Sequence, residues 1–203
     1  MNLSIRLIMD ETTKLQTQYE KFCRLLTRST GETADSATLL IESLGERLLL
    51  CPGSISESEE WSYPGGLMNF SMAVTKQMHA FSKVVENDLS QESIMRVGLL
   101  HAIGMVGGPL EGQDYLIPQD SDWHKKQGRL YRYNENLPKM PIAHRSLLIL
   151  QAYGVKLSYD EWVAIATSSG PSREENKFYV GSEPKLSILL STSRQWILSR
   201  QHN

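Results

Sequence analysis

The sequence predicts an all-α protein, because apolar residues recur at three- and four-residue steps along most of its length. Two further observations favour this fold class. Helix-start signals precede several of the periodic segments, and glycine or proline follows several of them. A chain of 203 residues suits one compact domain with a single core.

The amino-terminal part predicts two helical segments. Residues from about 3 to 26 predict one or two amphipathic helices, and residues from about 36 to 50 predict another that ends at Pro52-Gly53. The apolar stripes of these segments are Leu3, Leu7, Leu15, Tyr19, Phe22 and Leu26, then Leu40, Leu44 and Leu48. The acidic, turn-forming stretch PGSISESEEWSYPGG follows. We therefore expect residues 1–58 to be a helical extension packed on a main body of residues 59–203.

The main body begins with two predicted helices. The first spans about 67 to 87 and turns Leu67, Phe70, Val74, Met78 and Phe81 inward. Ser90 is the expected N-cap of the second, and the glycines of GMVGG end it. Because His101 shares a helix face with Ile94, Val97 and Gly104, it should point inward.

Residues 105–140 lack a sustained period and predict a long ordered loop, with a short hairpin at GRLYRYN. Helices resume in three segments after it: PIAHRSLLILQAYG, SYDEWVAIATSSG and EPKLSILLSTSRQWILSRQ. The second opens with the capping-box pair Ser158 and Glu161, and the third has proline in its first turn.

Composition excludes several classes of protein. The hydrophobic content of 40%, the charged content of 22% and the net charge of −2 give no general attraction to nucleic acid or to anionic membranes. The apolar runs are short and predict neither a signal peptide nor a membrane span. We expect a cytoplasmic protein in which Cys23 and Cys51 stay reduced.

Five segments resemble the HD-domain metal-dependent phosphohydrolases, closest to the small single-domain versions often encoded by bacteriophages. They are SYPGGLMNFSMAV, VGLLHAIG, RLYRYNENLPKMPIAHRSLLILQAYG, WVAIATSSG and PKLSILLSTSRQW, within residues 61–199. The resemblance implies an HD-like helical bundle and a viral protein of the host cytoplasm.

The resemblance also implies where metal ligands should be, and most of them are replaced. The expected histidine of the first core helix is Phe70, the His-Asp pair is His101-Ala102, and the closing aspartate is Arg194. A further His-Asp-Gly of some relatives reads Ser168-Ser169-Gly170. A divalent cation needs several oxygen or nitrogen ligands, which phenylalanine and alanine lack, and arginine repels it. We therefore expect no metal, no cofactor and no metal-hydroxide hydrolysis.

Each of these positions also has a simpler interpretation. Phe70 lies on an apolar stripe and suits a core residue, and His101 suits a partly buried, hydrogen-bonded histidine. Arg194 shares a face with Leu190 and Ile197, so it either reaches solvent or holds an anion such as phosphate where a metal once stood.

The middle loop and the start of the next helix interleave aromatic and cationic residues: Trp123, Lys126, Arg129, Tyr131, Tyr133, His144 and Arg145. Such a mixture can stack a base and hold a phosphate, or anchor a protein interface. It also suits a solvated loop whose cations pair with Asp120, Asp122 and Glu135.

These observations lead to one functional hypothesis and two alternatives. The first is a catalytically inactive HD-fold protein that binds a protein partner in host or viral replication, transcription or defence. The second is an active phosphohydrolase with a rearranged site, built from His101, His124, His144 and the acids Asp114, Asp120 and Asp122. The third is a module that binds a nucleotide without hydrolysing it.

Overall fold

The computed structural model describes residues 3–31, 34–84, 88–108, 112–170 and 172–199. They are mostly helical, which confirms the predicted all-α class. Among these residues, no helix combines the length and the apolar character that a membrane span requires. The helices are α1 (Leu3–Thr30), α2 (Ala34–Leu50), α3 (Gly66–Ser82), α4 (Gln91–Leu100), α5 (Asp122–Lys126), α6 (Ile142–Ala152), α7 (Tyr159–Ala166) and α8 (Lys185–Ser199).

The first two helices pack against the same hydrophobic core as the rest of the chain. Phe22 and Leu26 of α1 are buried there. The predicted stripe of α2, Leu40, Leu44 and Leu48, is buried as well. The predicted domain boundary near residue 58 stays a prediction.

Three helices form the centre of the core. The predicted inward residues of α3 from Leu67 to Met78 are buried, whereas Phe81 is half-buried and meets Trp196 of α8 edge to face at 5.9 Å. Ser90 caps α4 by accepting a hydrogen bond from the amide of Ser93, as predicted. Because α4 packs against both α3 and α8, its carboxyl end lies inside the protein.

A buried ion pair ties α1, α4 and α7 together. The Arg96 guanidinium donates to both carboxylate oxygens of Glu161, at 3.0 and 3.1 Å, and to the Ser29 carbonyl, at 3.1 and 2.6 Å. Glu161 also accepts from the amide of Ser158, which confirms the predicted capping box. This arginine is therefore fully compensated.

The structure corrects several element predictions. Helix α3 ends at Ser82, and residues 85–87 of the predicted helix lie outside the described residues. The 3₁₀ helices Ile103–Met105 and Glu174–Tyr179 and the short helix α5 were not predicted. Each has three to six residues, too few for an apolar stripe to show its period.

The predicted hairpin within GRLYRYN is wrong in its pairing. Strand β2 (Tyr131–Tyr133) lies in that segment, but its antiparallel partner is β1 (Leu116–Pro118), with Leu116 opposite Tyr133. The acidic linker joins this pair, because the Ile55 carbonyl accepts from the amides of Leu130 and Tyr131 at 3.0 and 3.2 Å. The linker and the segment between α4 and α6 therefore form one small β-like layer.

Candidate functional site

The positions where the resemblance expects metal ligands lie around one cavity of about 550 Å³. Phe70 of α3, Ala102 after α4, Ser169 after α7 and Arg194 of α8 line it. Most of the remaining wall comes from the linker, from the segment between α4 and α6 and from the segment between α7 and α8. Residues far apart in sequence therefore meet at one place.

His101 lies beneath this cavity and is only 1% exposed. Its Nδ1 is 2.9 Å from the Gly98 carbonyl oxygen, so Nδ1–H donates there and Nε2 is left as an acceptor. Nε2 has no hydrogen-bond partner among the described residues. Burial, and secondly the charge of Arg194, lower the pKa of His101 to about 3, although the hydrogen bond to Gly98 opposes the shift. The imidazole is therefore neutral at physiological pH.

The end of α4 is held by a serine of α6. The Ser146 hydroxyl donates to the His101 carbonyl at 2.9 Å and accepts from the Gly104 amide at 2.9 Å. These bonds satisfy backbone groups that the helix end leaves without a partner. The position of His101 and Ala102 at the cavity is thus fixed by α6.

Arg194 places a guanidinium at the cavity, and no carboxylate of the described residues pairs with it. Its Nη1 donates to the Ser168 carbonyl at 3.0 Å, and its buried Nε has no hydrogen-bond partner among the described residues. Burial, and secondly the positive charge of Arg173, lower the pKa of Arg194. Across the described parts of the chain, neither arginine forms an ion pair. Both also line the cavity, which makes this end of it cationic.

Aromatic rings form the walls. The ring of Phe70 lies 5.6 Å from His101, 5.9 Å from Trp61 and 5.9 Å from the guanidinium carbon of Arg194. The Trp61 indole N–H is buried and has no hydrogen-bond partner in the described residues. Gly66 allows this packing, because a Cβ there would lie 2.0 Å from the Trp61 carbonyl oxygen.

A second pair of rings faces the cavity from the middle segment. Tyr115 and Tyr133 lie 5.1 Å apart, and the guanidinium of Arg145 sits 4.1 Å above the Tyr115 ring. Arg145 is 2% exposed and donates to the Pro138 carbonyl. It therefore supports the tyrosine wall from behind.

Charges of both signs surround the mouth of the cavity. Glu59, Arg173 and Glu175 are exposed and line it. Burial raises the pKa of Tyr133, to which Tyr115 and Glu59 add, while Arg173 opposes the shift. A ligand would thus meet charges of both signs at the mouth and the Arg194 cation further in.

The structure does not gather the predicted middle-loop residues into one site. Tyr133 lines the cavity and Arg145 supports it, as described above. Four others are exposed and do not line it: Trp123, Lys126, Arg129 and His144. Tyr131 is half-buried, and burial raises its pKa.

Trp61, Tyr115 and Arg173 are among the lining residues that sequence reasoning missed. Each lies in a segment without helical period, next to a glycine- or proline-rich stretch. The only available signal was that long ordered loops often carry function.

The carboxylates that a rearranged metal site would need lie beside cations elsewhere in the protein. Asp114 pairs with Arg47 at 3.1 Å and Asp120 with Arg132 at 2.9 Å; Asp122 lies 3.7 Å from Lys125. No group of three histidine, cysteine, aspartate or glutamate side chains is placed to hold a metal within the described ranges. Phe70, Ala102 and Arg194 do not fit a divalent cation, because they offer it no lone pair or repel it.

Comparison with known proteins gives no match to a protein-family model, a curated protein or a solved structure.

Proposed function

We propose that the protein is a catalytically inactive relative of the HD-domain phosphohydrolases, and that its cavity binds an anionic ligand with a flat ring, such as a nucleoside monophosphate, without hydrolysing it. One observation carries the proposal: the Arg194 guanidinium faces the cavity without a carboxylate partner in the described residues. The anion of a bound ligand would supply the missing countercharge.

Energetics supports this assignment. Removing a charged group from water costs several kcal/mol unless a partner compensates it. Arg96 is compensated by Glu161 within the same protein, whereas Arg194 has one backbone carbonyl and an unpaired Nε. A phosphate or carboxylate accepts two parallel hydrogen bonds from a guanidinium, so it fits this position.

The shape and lining of the cavity support a ring as the second part of the ligand. Its volume of about 550 Å³ lies within the range of small-molecule sites. Tyr133 and Trp61 present flat apolar surfaces, on which a base can stack.

The loss of hydrolysis follows from the residues at the positions of the expected ligands. Phe70, Ala102 and Arg194, which the resemblance places at metal-ligand positions, lie close to His101 at the cavity, and this proximity supports the proposal. Their side chains supply no ligand set for metal-activated water. The quoted segments and this proximity support the proposed relationship to the HD-domain family.

Calorimetric titration with nucleoside monophosphates, the matching nucleosides and inorganic phosphate tests the proposal. We expect saturable binding of at least one monophosphate, weaker binding of phosphate alone, and an affinity loss of at least about tenfold in Arg194→Met, since a charged hydrogen bond contributes about 1.5–3 kcal/mol. The matched control is Arg129→Met, which removes an exposed arginine that does not line the cavity. Absence of saturable binding, or equal binding by Arg194→Met, would overturn the proposal.

A second measurement tests the non-hydrolytic part. We expect no product when the protein is incubated with nucleotides and manganese, iron or nickel. Turnover that His101→Ala removes would instead establish the rearranged-site alternative.

A further inference from the structure

A second concave surface lies between α1 and α3, away from the residues that line the cavity described above. This groove has a volume of about 450 Å³ and is lined by Lys21, Leu25, Asn69, Met72, Ala73, Thr75, Lys76, His79 and Met95. Leu25, Met72, Ala73 and Met95 are half-buried, so apolar surface remains accessible in the groove. Helix α1, which lies outside the HD resemblance, therefore takes part in forming this groove.

The groove has the spacing of a helix-binding surface. On α3 its lining residues Asn69, Met72, Ala73, Lys76 and His79 follow helical steps of three and four, and α1 adds Lys21 and Leu25 four residues apart. The α3 stripe runs for about 15 Å at 1.5 Å per residue, which matches about three turns of a second helix. Helices that bind in grooves use anchors with the same i, i+3, i+4 and i+7 spacing.

Two methionines contribute to the apolar lining. Methionine is unbranched and adapts its shape to an incoming side chain, and it is enriched at interface cores and at helix-binding surfaces. Met72 comes from α3 and Met95 from α4, so both sides of that part of the groove can adjust.

Among the described residues, the charged side chains that line the groove are basic. Lys21 projects from α1 and Lys76 from α3; both are exposed, and neither forms an ion pair with a carboxylate in the part of the chain that the structure describes. Helix α3 has no acidic residue from Gly66 to Ser82. A partner with acids beside its apolar stripe would therefore meet complementary charge from both helices.

We propose that the groove between α1 and α3 binds an acidic amphipathic helix of a partner protein. The apolar stripe of that helix packs on Leu25, Met72, Ala73 and Met95, and its acidic flanks face Lys21 and Lys76. Nucleic acid fits less well, because no tryptophan, tyrosine or phenylalanine lines the groove for base stacking. This proposal is independent of the anion cavity.

Fluorescence anisotropy with two labelled synthetic peptides tests the proposal. Both peptides form about four helical turns with leucine at i, i+3, i+4 and i+7. One peptide has glutamate beside this stripe and the other has lysine. We expect the wild-type protein to bind the glutamate peptide about tenfold more tightly than the lysine peptide, because several partly desolvated charge pairs add up to this factor.

Charge reversal locates the binding surface. The double variant Lys21→Glu/Lys76→Glu should bind the lysine peptide more tightly than the glutamate peptide. The matched control is Lys126→Glu/Lys156→Glu, which makes the same charge change at exposed positions outside the groove and should keep the wild-type preference. Circular dichroism verifies that each variant keeps its helical content.

Three results would overturn the proposal. One is equal affinity of the wild-type protein for both peptides, or no binding of either. Another is a preference that the groove reversal leaves unchanged or that the control reversal removes equally. The third is that a single-stranded oligonucleotide binds, that Lys21→Glu/Lys76→Glu abolishes this binding, and that neither peptide competes with it.

Discussion

Replacing Arg194 with methionine should stabilise the ligand-free protein instead of destabilising it. The substitution removes one charged hydrogen bond to the Ser168 carbonyl. It also removes the cation–π contact in which the guanidinium carbon lies 5.9 Å from the centre of the Phe70 ring. Together these contribute about 2–4 kcal/mol. It also removes an unpaired buried Nε, which costs about 1–3 kcal/mol, and the cost of burying an ion without a countercharge, which is several kcal/mol.

The balance favours Arg194→Met by about 1–2 kcal/mol in the free energy of unfolding at low ionic strength. Urea denaturation at neutral pH, in a buffer without phosphate, measures it. A high concentration of a bound anion should then stabilise the wild-type protein by about 2.7 kcal/mol at one hundred times its Kd, and the variant much less.

Two results would refute this reasoning. One is that Arg194→Met lowers the free energy of unfolding by about 2 kcal/mol or more, the size of a charged hydrogen bond. The arginine would then stabilise the fold. If phosphate stabilised both proteins equally, the anion would bind elsewhere. Either outcome would remove the uncompensated guanidinium as the basis of the functional assignment.

Three other predictions follow from buried polar groups. The pKa of His101 is about 3 in the folded protein and about 6.5 in the unfolded chain, so the unfolded chain takes up the proton first as the pH falls. The contribution of His101 to the free energy of unfolding should therefore fall by about 1.4 kcal/mol per pH unit below about pH 6. Urea titrations at several pH values should show this slope relative to His101→Gln, and parallel curves would contradict it. Glu161→Gln keeps an N3 side chain suited to the capping box but leaves Arg96 without a countercharge. It should therefore lower the free energy of unfolding, measured by urea denaturation, by about 3–5 kcal/mol. A loss below about 1 kcal/mol, the size of an exposed ion pair, would argue that Glu161 does not compensate the charge of Arg96. Arg47→Met removes the hydrogen bonds from the guanidinium to the carbonyl oxygens of Val106 and Gln113 as well as the bond to Asp114. It should therefore cost about 2 kcal/mol and reduce amide-exchange protection in the adjoining segment, and unchanged protection would contradict this.

Much of the helical framework could be predicted from sequence because it depends on local rules. The stripe of Leu40, Leu44 and Leu48 shows its helical period directly, and the capping pair Ser158 and Glu161 marks its helix start. The inward orientation of His101 follows from the same period.

The small elements depend on contacts between distant segments. The pairing of Leu116 with Tyr133 and that of Ile55 with Leu130 leave no periodic signal. Local sequence predicted a hairpin within GRLYRYN, but Tyr131–Tyr133 pairs with the more distant strand Leu116–Pro118.

Some residues of the candidate site could be predicted from the sequence and others could not. The resemblance singled out Phe70, Ala102 and Arg194, and these positions meet at the cavity. Tyr115 and Arg173 reach the cavity through loops whose paths no helical pattern encodes. The missing countercharge at Arg194 also required the structure, because a sequence does not tell which carboxylates lie nearby.

The β-like layer formed by the linker and the middle segment bears on how fast a ligand could enter and leave. Ile55, Tyr115 and Tyr133 belong to this layer or adjoin it, and all three line the cavity. The layer is held by few backbone hydrogen bonds, so it can open at lower free-energy cost than the helical core. Ligand exchange would then follow the local opening rate of this layer, and substitutions there would alter residence time without altering global stability in proportion.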